Sequence, residues 1–198
     1  MSFTTTVIRN HTFETETGEE IDLPYAAADY LDPFLSEDGN LFRYAAEDHD
    51  RGWDYEWPEG VEFIQGSPRH HNYVGDADAA NAWIEEMAPD HDVYVVDVYE
   101  HGNVAYSLSG TGPQCAFDTA RGGAAIAIPN DKHANPFTNT EEAARAILAE
   151  FTDWVNGNIY GIVEMIRDPE TGEWAEGDAC WGIIGDKYAQ QCVNEGGY

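Results

Sequence analysis

Apolar residues in the second half of the chain recur at regular steps. Ala144, Ile147, Leu148, Phe151, Trp154 and Val155 fall three and four positions apart, a stripe along one side of a helix. Asn139 or Thr138 can cap that helix, with Glu142 or Glu141 three residues on, and Gly157 can end it, so the pattern predicts a helix over about 139–156. Asn158 to Ile166 then reads as a strand, Arg167 to Gly172 as a hairpin turn, and Asp178 to Gly185 as a compact returning strand. The helix is expected to bury its stripe on that hairpin, with Cys180 and Trp181 in the core.

Upstream, Ala80, Trp83, Ile84 and Met87 predict a shorter helix over about 76–88, opened by Asp76 and Asp78 and closed by Pro89. Val93 to Tyr99 and Val104 to Leu108 read as strands joined at His101-Gly102-Asn103, and Ala124 to Ile128 as another. Thr4 to Ile8 and His11 to Thr17 read as an N-terminal hairpin. Leu23 to Gly75 follows neither period. It holds Pro24, Pro33, Pro58 and Pro68 among many rings, from Tyr25 to Tyr73, which a disordered linker would not carry. The expected architecture is α+β: a mostly antiparallel sheet packed against one long and one shorter helix. A loop-rich acidic and aromatic region, 1–75, should pack on a core domain, 76–198.

Composition changes this picture in one respect. Nine basic residues face 38 acidic ones, a net charge of −29, and lysine occurs only at Lys132 and Lys187. The acids are spread along the chain, so a folded surface must carry them. Such a surface repels nucleic acid and anionic membranes and attracts basic proteins. The first residues do not read as a signal peptide, and no apolar run is long enough to span a bilayer. Cys115, Cys180 and Cys192 are odd in number and lack CxxC spacing, which fits a reducing cytoplasm rather than a disulfide framework.

Candidate chemistry is sparse. His49, His70 and His71 lack the paired short spacing of a zinc site, and adjacent histidines on an extended chain point apart. Asp48-His49-Asp50 and Asp76-Ala77-Asp78 offer carboxylates without a calcium-loop pattern. Cys180 reads as a small packed hydrophobe; Cys115 reads as a loop cysteine with no histidine near it in sequence. Ser109-Gly110-Thr111-Gly112 and Arg121-Gly122-Gly123 match no phosphate-binding motif and read as loops or tight turns. No catalytic residue, metal or cofactor is indicated.

Three segments resemble an uncharacterised family of bacteriophage and mobile-element proteins: Cys115 to Gly123, Asp153 to Gly161, and Asp178-Ala179-Cys180-Trp181-Gly182-Ile183-Ile184-Gly185. The likeness covers about Asp92 to Gly185 and departs at Ala116 and Phe117, where the family carries proline and tryptophan. Trp154 to Gly161 is also locally similar to ArdA-type antirestriction proteins, which are acidic and imitate DNA. These resemblances imply a mobile-element protein in host cytoplasm.

With the charge, they suggest a non-enzymatic inhibitor of a host restriction or CRISPR complex that acts by DNA mimicry. The partner would be a DNA-binding protein or nuclease complex with a basic surface, engaged without direct nucleic-acid or membrane binding; a homodimer is compatible with the sequence. The surface expected to act is Glu47, Asp48, Asp50, Asp54, Glu56, Glu59 and Glu62 with Asp76, Asp78, Glu85 and Glu86, the first group interleaved with Trp53, Tyr55, Trp57 and Phe63. Two other readings compete: a halophile's cytosolic enzyme or binding protein whose acidity is salt adaptation, and a virion structural or assembly protein.

Overall fold

The structure is a computed structural model, and it describes residues 11–15, 18–49, 54–65, 77–130 and 139–197. In chain order the strands are β1 (Thr12–Glu14), β2 (Glu20–Asp22), β3 (Phe34–Leu35), β4 (Leu41–Glu47), β5 (Glu62–Gln65), β6 (His91–His101), β7 (Asn103–Leu108), β8 (Thr119–Pro129), β9 (Ile159–Arg167) and β10 (Trp174–Ile184). The helices are α1 (Ala77–Met87), α2 (Thr140–Asn156) and α3 (Asp186–Glu195). The fold is α+β with antiparallel sheets. The chain divides into two compact units, Met1–Gly52 with Gly157–Tyr198, and Trp53–Asn156. Within the first of these units β4 pairs with β9 along its whole length, from Leu41↔Ile166 to Glu47↔Tyr160.

In the unit formed by the middle of the chain the sheet order is β5-β8-β6-β7. Its α2 lies over this sheet, against β7, β8 and β6. The expected platform, the hairpin that follows the helix, is therefore corrected. Ala143, Ala144, Ile147, Leu148 and Phe151 pack on Val96, Val98, Tyr106, Leu108, Ile126 and Ile128. The Asn139 side chain caps α2, accepting from the amides of Glu141 at 3.1 Å and Glu142 at 3.3 Å. Gly157 leaves the helix at φ 82°, a conformation glycine adopts without a Cβ clash. Strand β7 is an edge. Its Val104 exchanges two hydrogen bonds with the Asn156 side chain, at 2.9 and 2.8 Å, and the Tyr106 amide donates to Thr152 Oγ1 at 3.0 Å. Side chains of α2 thus occupy edge groups that would otherwise pair with another strand.

In the other unit a four-stranded sheet runs β10-β9-β4-β3, with the separate hairpin β1-β2. That hairpin pairs Thr12–Glu14 with Glu20–Asp22; the strand expected at 4–8 lies outside the described residues. One apolar cluster gathers Ile21, Leu23, Phe42, Tyr44, Val163 and Met165, and a second gathers Ala45, Tyr160, Ile162, Ala189, Cys192 and Val193. Strand β4, read from sequence as loop, is central and buried through Phe42, Arg43, Tyr44, Ala45 and Ala46. The described part of 23–75 is therefore less irregular than its composition suggests. Helix α3 is also absent from the sequence reading. It is held at its C-terminus by buried Arg43, whose Nη1 donates to the Val193 carbonyl at 2.7 Å and whose Nε pairs with Glu164 at 3.1 Å.

Trp181 is corrected as well. Strand β10 is an edge with two register shifts, and the second lies between Cys180 and Ile183. Trp181 sits in that irregularity, 41% exposed, and crosses over Gly161 to meet Tyr25 edge-on at 4.9 Å between ring centroids. It covers the end of the sheet instead of filling a core. Among the described residues no helix is long and apolar enough to cross a membrane.

Candidate functional site

Two features of the middle unit gather polar chemistry, one displayed outward and one buried. The first is the segment before β5. Tyr55, Trp57 and Phe63 turn in and form one aromatic cluster with Phe151; Tyr55 and Trp57 stand at 4.8 Å, Trp57 and Phe63 at 4.7 Å, and Trp57 and Phe151 at 4.8 Å. Between them Asp54, Glu56, Glu59 and Glu62 are exposed. The alternation of ring and carboxylate therefore becomes an alternation of anchor and displayed charge. The Tyr55 hydroxyl donates to Glu150 Oε1 at 2.7 Å, which ties the segment to α2. Burial, reinforced by the adjoining carboxylate, raises the Tyr55 pKa, so its proton stays in place at neutral pH.

The other predicted acids separate into three groups. Asp78, Glu85 and Glu86 are exposed on α1, in the same unit. Glu47, exposed, and Asp48, half-buried, belong to the other unit, where Glu47 pairs with His49 at 3.3 Å. Asp50 and Asp76 lie outside the described residues, as do His70 and His71.

The second feature was not foreseen. Asp97, only 2% exposed, stands where the register of β6 against β8 shifts between Val96 and Val98. On β8 the displaced residues include Gly122, with φ 61°, and Gly123, where a Cβ would lie 2.9 Å from that of Ala120. A bulge of this kind leaves an amide without a ladder partner. The Asp97 carboxylate accepts it: Gly122 N–H donates to Oδ1 at 2.9 Å. Ser109 Oγ also donates to Oδ1 at 2.9 Å, while Gly110 N–H at 2.9 Å and Gln114 Nε2 at 3.0 Å donate to Oδ2. Both glycine-rich stretches of the sequence thus converge on one carboxylate. The anion held by their amides is the protein's own. Desolvation pushes the Asp97 pKa up, but these donors outweigh it and hold it below the ordinary value.

The brace continues into the loop between β7 and β8. Cys115 N–H donates to Thr119 Oγ1 at 2.8 Å, Thr119 N–H donates to the Cys115 carbonyl at 3.1 Å, and Thr119 Oγ1 donates to the Pro113 carbonyl at 3.2 Å. The Cys115 thiol donates to Asp118 Oδ2 at 3.3 Å, and His101 Nδ1 lies 3.3 Å from the same oxygen. The carboxylate stands between thiol and imidazole, so the imidazole does not face the sulfur it would have to deprotonate. Cys115 is a loop fastener in this geometry. Among the described residues no group of three His, Cys, Asp or Glu side chains is placed to hold a metal ion.

Compared with protein-family models, with curated proteins and with solved structures, the chain matches none of them. The functional reading accordingly rests on the displayed segment before β5, with the Asp97 brace as internal support.

Proposed function

We propose that this chain is a non-enzymatic protein of a bacteriophage or mobile element, acting in the host cytoplasm, that blocks a host DNA-binding defence complex by imitating DNA. The observation that carries this reading is the anchored segment before β5. Its rings are fixed on α2 while Asp54, Glu56, Glu59 and Glu62 face out. B-DNA carries one charge per ~1.7 Å of axis, so a mimic needs dense carboxylates on a backbone that does not move. The partner would be a nuclease or CRISPR-type complex with a basic groove.

The test uses a purified restriction endonuclease and a purified CRISPR effector complex with a duplex DNA substrate. The protein should compete with the duplex, and competition should weaken steeply as salt rises. Asp54→Lys, Glu56→Lys and Glu59→Lys together should abolish competition while the melting temperature holds or rises, since mutual repulsion is relieved. Full DNA cleavage in the presence of excess wild-type protein sinks the proposal.

A second reading, salt adaptation in a halophile, is favoured by a different observation. The charge is divided evenly: 20 acidic against 5 basic residues in the unit holding the termini, and 18 against 4 in the middle unit. A halophilic chain should lose its fold in dilute buffer, where repulsion is unscreened. Our reading expects cooperative melting there, within a few degrees of that at high salt.

A further inference from the structure

Trp181 and Tyr25 are 41% and 38% exposed, and their rings meet at 4.9 Å between centroids with their planes 80° apart. How the indole lies follows from Gly161 beneath it. A Cβ on Gly161 would stand at nearly one distance from Cδ2, Cε3 and Cζ3, three consecutive ring atoms. Only an approach from above the ring plane gives that. One face of the indole therefore lies flat on the Gly161 backbone, and the other is turned away from it. The Tyr25 ring stands almost perpendicular to both. The register shift between Cys180 and Ile183 aims Trp181 across β9, as bulges commonly re-aim a side chain. Tyr25 is fixed as well. Its amide donates to the Tyr44 hydroxyl at 3.3 Å, and that hydroxyl donates to the Tyr25 carbonyl at 3.2 Å.

From this we infer that Trp181 and Tyr25 form an aromatic corner that takes an arginine side chain of a partner protein. The inference goes beyond the mimicry reading: the corner belongs to the unit holding the termini, and the displayed acids from Asp54 to Glu62 belong to the other. Three points specify the occupant. Ring faces carry the negative part of the aromatic quadrupole, and tryptophan offers a cation the best of them. A carboxylate stands near. Exposed Glu176 pairs with Met165, four residues along β9 from Gly161 and so on the same face of the sheet. Burial most, and the Glu176 charge besides, push the Tyr44 pKa up to about 12, which places that charge within reach of the hydroxyl that holds Tyr25. A planar guanidinium lies flat on one ring and keeps its N–H edge for the carboxylate, which a compact, strongly hydrated ammonium does not. A nucleobase would stack too, but a net charge of −29 repels its phosphate. Rings this open gain too little from a free amino acid to retain it, so the guanidinium has to arrive on a larger surface.

The experiment follows the indole N–H resonances of isotope-labelled full-length protein titrated with hexa-arginine, hexa-lysine and hexa-citrulline peptides and with a capped single arginine. Of the six tryptophans, Trp181 gives the resonance missing from Trp181→Phe. Hexa-arginine should shift it with about 10-fold higher affinity than hexa-lysine, which carries the same charge, and hexa-citrulline, planar but neutral, should leave it in place. Tyr25→Leu keeps its main-chain bonds to Tyr44, so it should melt as wild type does while losing the preference for arginine over lysine; Tyr25→Phe should keep that preference. Glu176→Gln should weaken both cationic peptides about 3-fold. Equal affinity for the arginine and lysine peptides overturns the inference, as does a preference that survives Tyr25→Leu. If the capped arginine binds as tightly as the peptide, the corner serves a small molecule and the partner protein is overturned. If the Trp181 resonance moves with protein concentration alone, a second copy covers the corner and the inference fails.

Discussion

At the residue scale, the decisive group is a buried carboxylate whose partners are scattered in sequence. Asp97 collects donors from Ser109, Gly110, Gln114 and Gly122, which no short motif announces. Its pKa is held below the ordinary value, so its stabilising contribution is complete above the unfolded carboxylate pKa of about 3.9 and is lost as pH falls through the lower folded one. Asp97→Ala should cost about 3 kcal/mol at neutral pH, because buried donors lose a charged acceptor. The gap in melting temperature between Asp97→Asn and wild type should stay constant from neutral pH down to about 5 and close as acid reaches the folded pKa. A gap insensitive to acid would show that the carboxylate is not charged in the fold. A second residue-scale prediction concerns Trp181, whose ring occupies the space over Gly161, where a Cβ would stand 2.3 Å from ring carbon Cε3. Gly161→Ala should cost about 1–3 kcal/mol by displacing the ring. The same change in a Trp181→Ala background should be nearly neutral, a coupling that a double-mutant cycle measures. Trp181→Ala alone should cost about 2 kcal/mol, less than a core tryptophan, because the ring is already 41% exposed.

At the element scale, what could be read from sequence follows burial on one face. Helix α2 buries Ala143, Ala144, Ile147, Leu148 and Phe151 and leaves Glu141, Arg145 and Glu150 out, so its period survives in the sequence and its span is read to within a residue or two. Strand β4 buries both faces, and the alternation that would mark a strand vanishes. Helix α3 is brief, and its sequence DKYAQQCVNE is mostly polar; Ala189, Cys192 and Val193 make too small a stripe to stand out, and its anchor, Arg43, is 150 residues from the Val193 carbonyl it holds. The long helix was legible but its platform was not, since the nearest strand in sequence, β9, pairs with β4 in the other unit. The acidic segment was legible because ring and acid alternate there, whereas the Asp97 brace depended on contacts 12 to 25 residues apart. The edge of β7 supplies the test at this scale. Asn156→Ala removes the two hydrogen bonds to Val104 and bares an edge. It should cost about 2 kcal/mol and raise concentration-dependent self-association in sedimentation, while Asn156→Asp should keep the bond from the Val104 amide and lose the one to its carbonyl. If Asn156→Ala leaves both stability and association unchanged, α2 does not protect the edge.

At the scale of the whole molecule, the chain order carries an unusual consequence. Residues Trp53–Asn156 leave the chain between β4 and β9, two strands that pair with each other residue for residue from Leu41↔Ile166 to Glu47↔Tyr160. The middle unit contains a complete sheet, its covering helix α2 and its own apolar cluster around Ile126, Leu148 and Phe151. Among the described residues that cluster is built from side chains of 53–156, and a fragment of about a hundred residues buries enough surface to fold alone. Residues 53–156 expressed by themselves should therefore give a cooperative thermal transition, with near-ultraviolet dichroism from the ring cluster of Tyr55, Trp57, Phe63 and Phe151. The complementary chain, 1–52 joined to 157–198 by a short glycine-serine linker, should fold as well, because β4 and β9 are neighbours and closing them costs little loop entropy. The functional reading adds a sharper expectation. The segment from Asp54 to Glu62 lies in the middle unit, so the 53–156 fragment should retain most of the competition against duplex DNA that the full chain shows. A fragment that folds yet does not compete would move the binding surface to the unit holding the termini, where Glu47 and Asp48 would be the acids to mutate next.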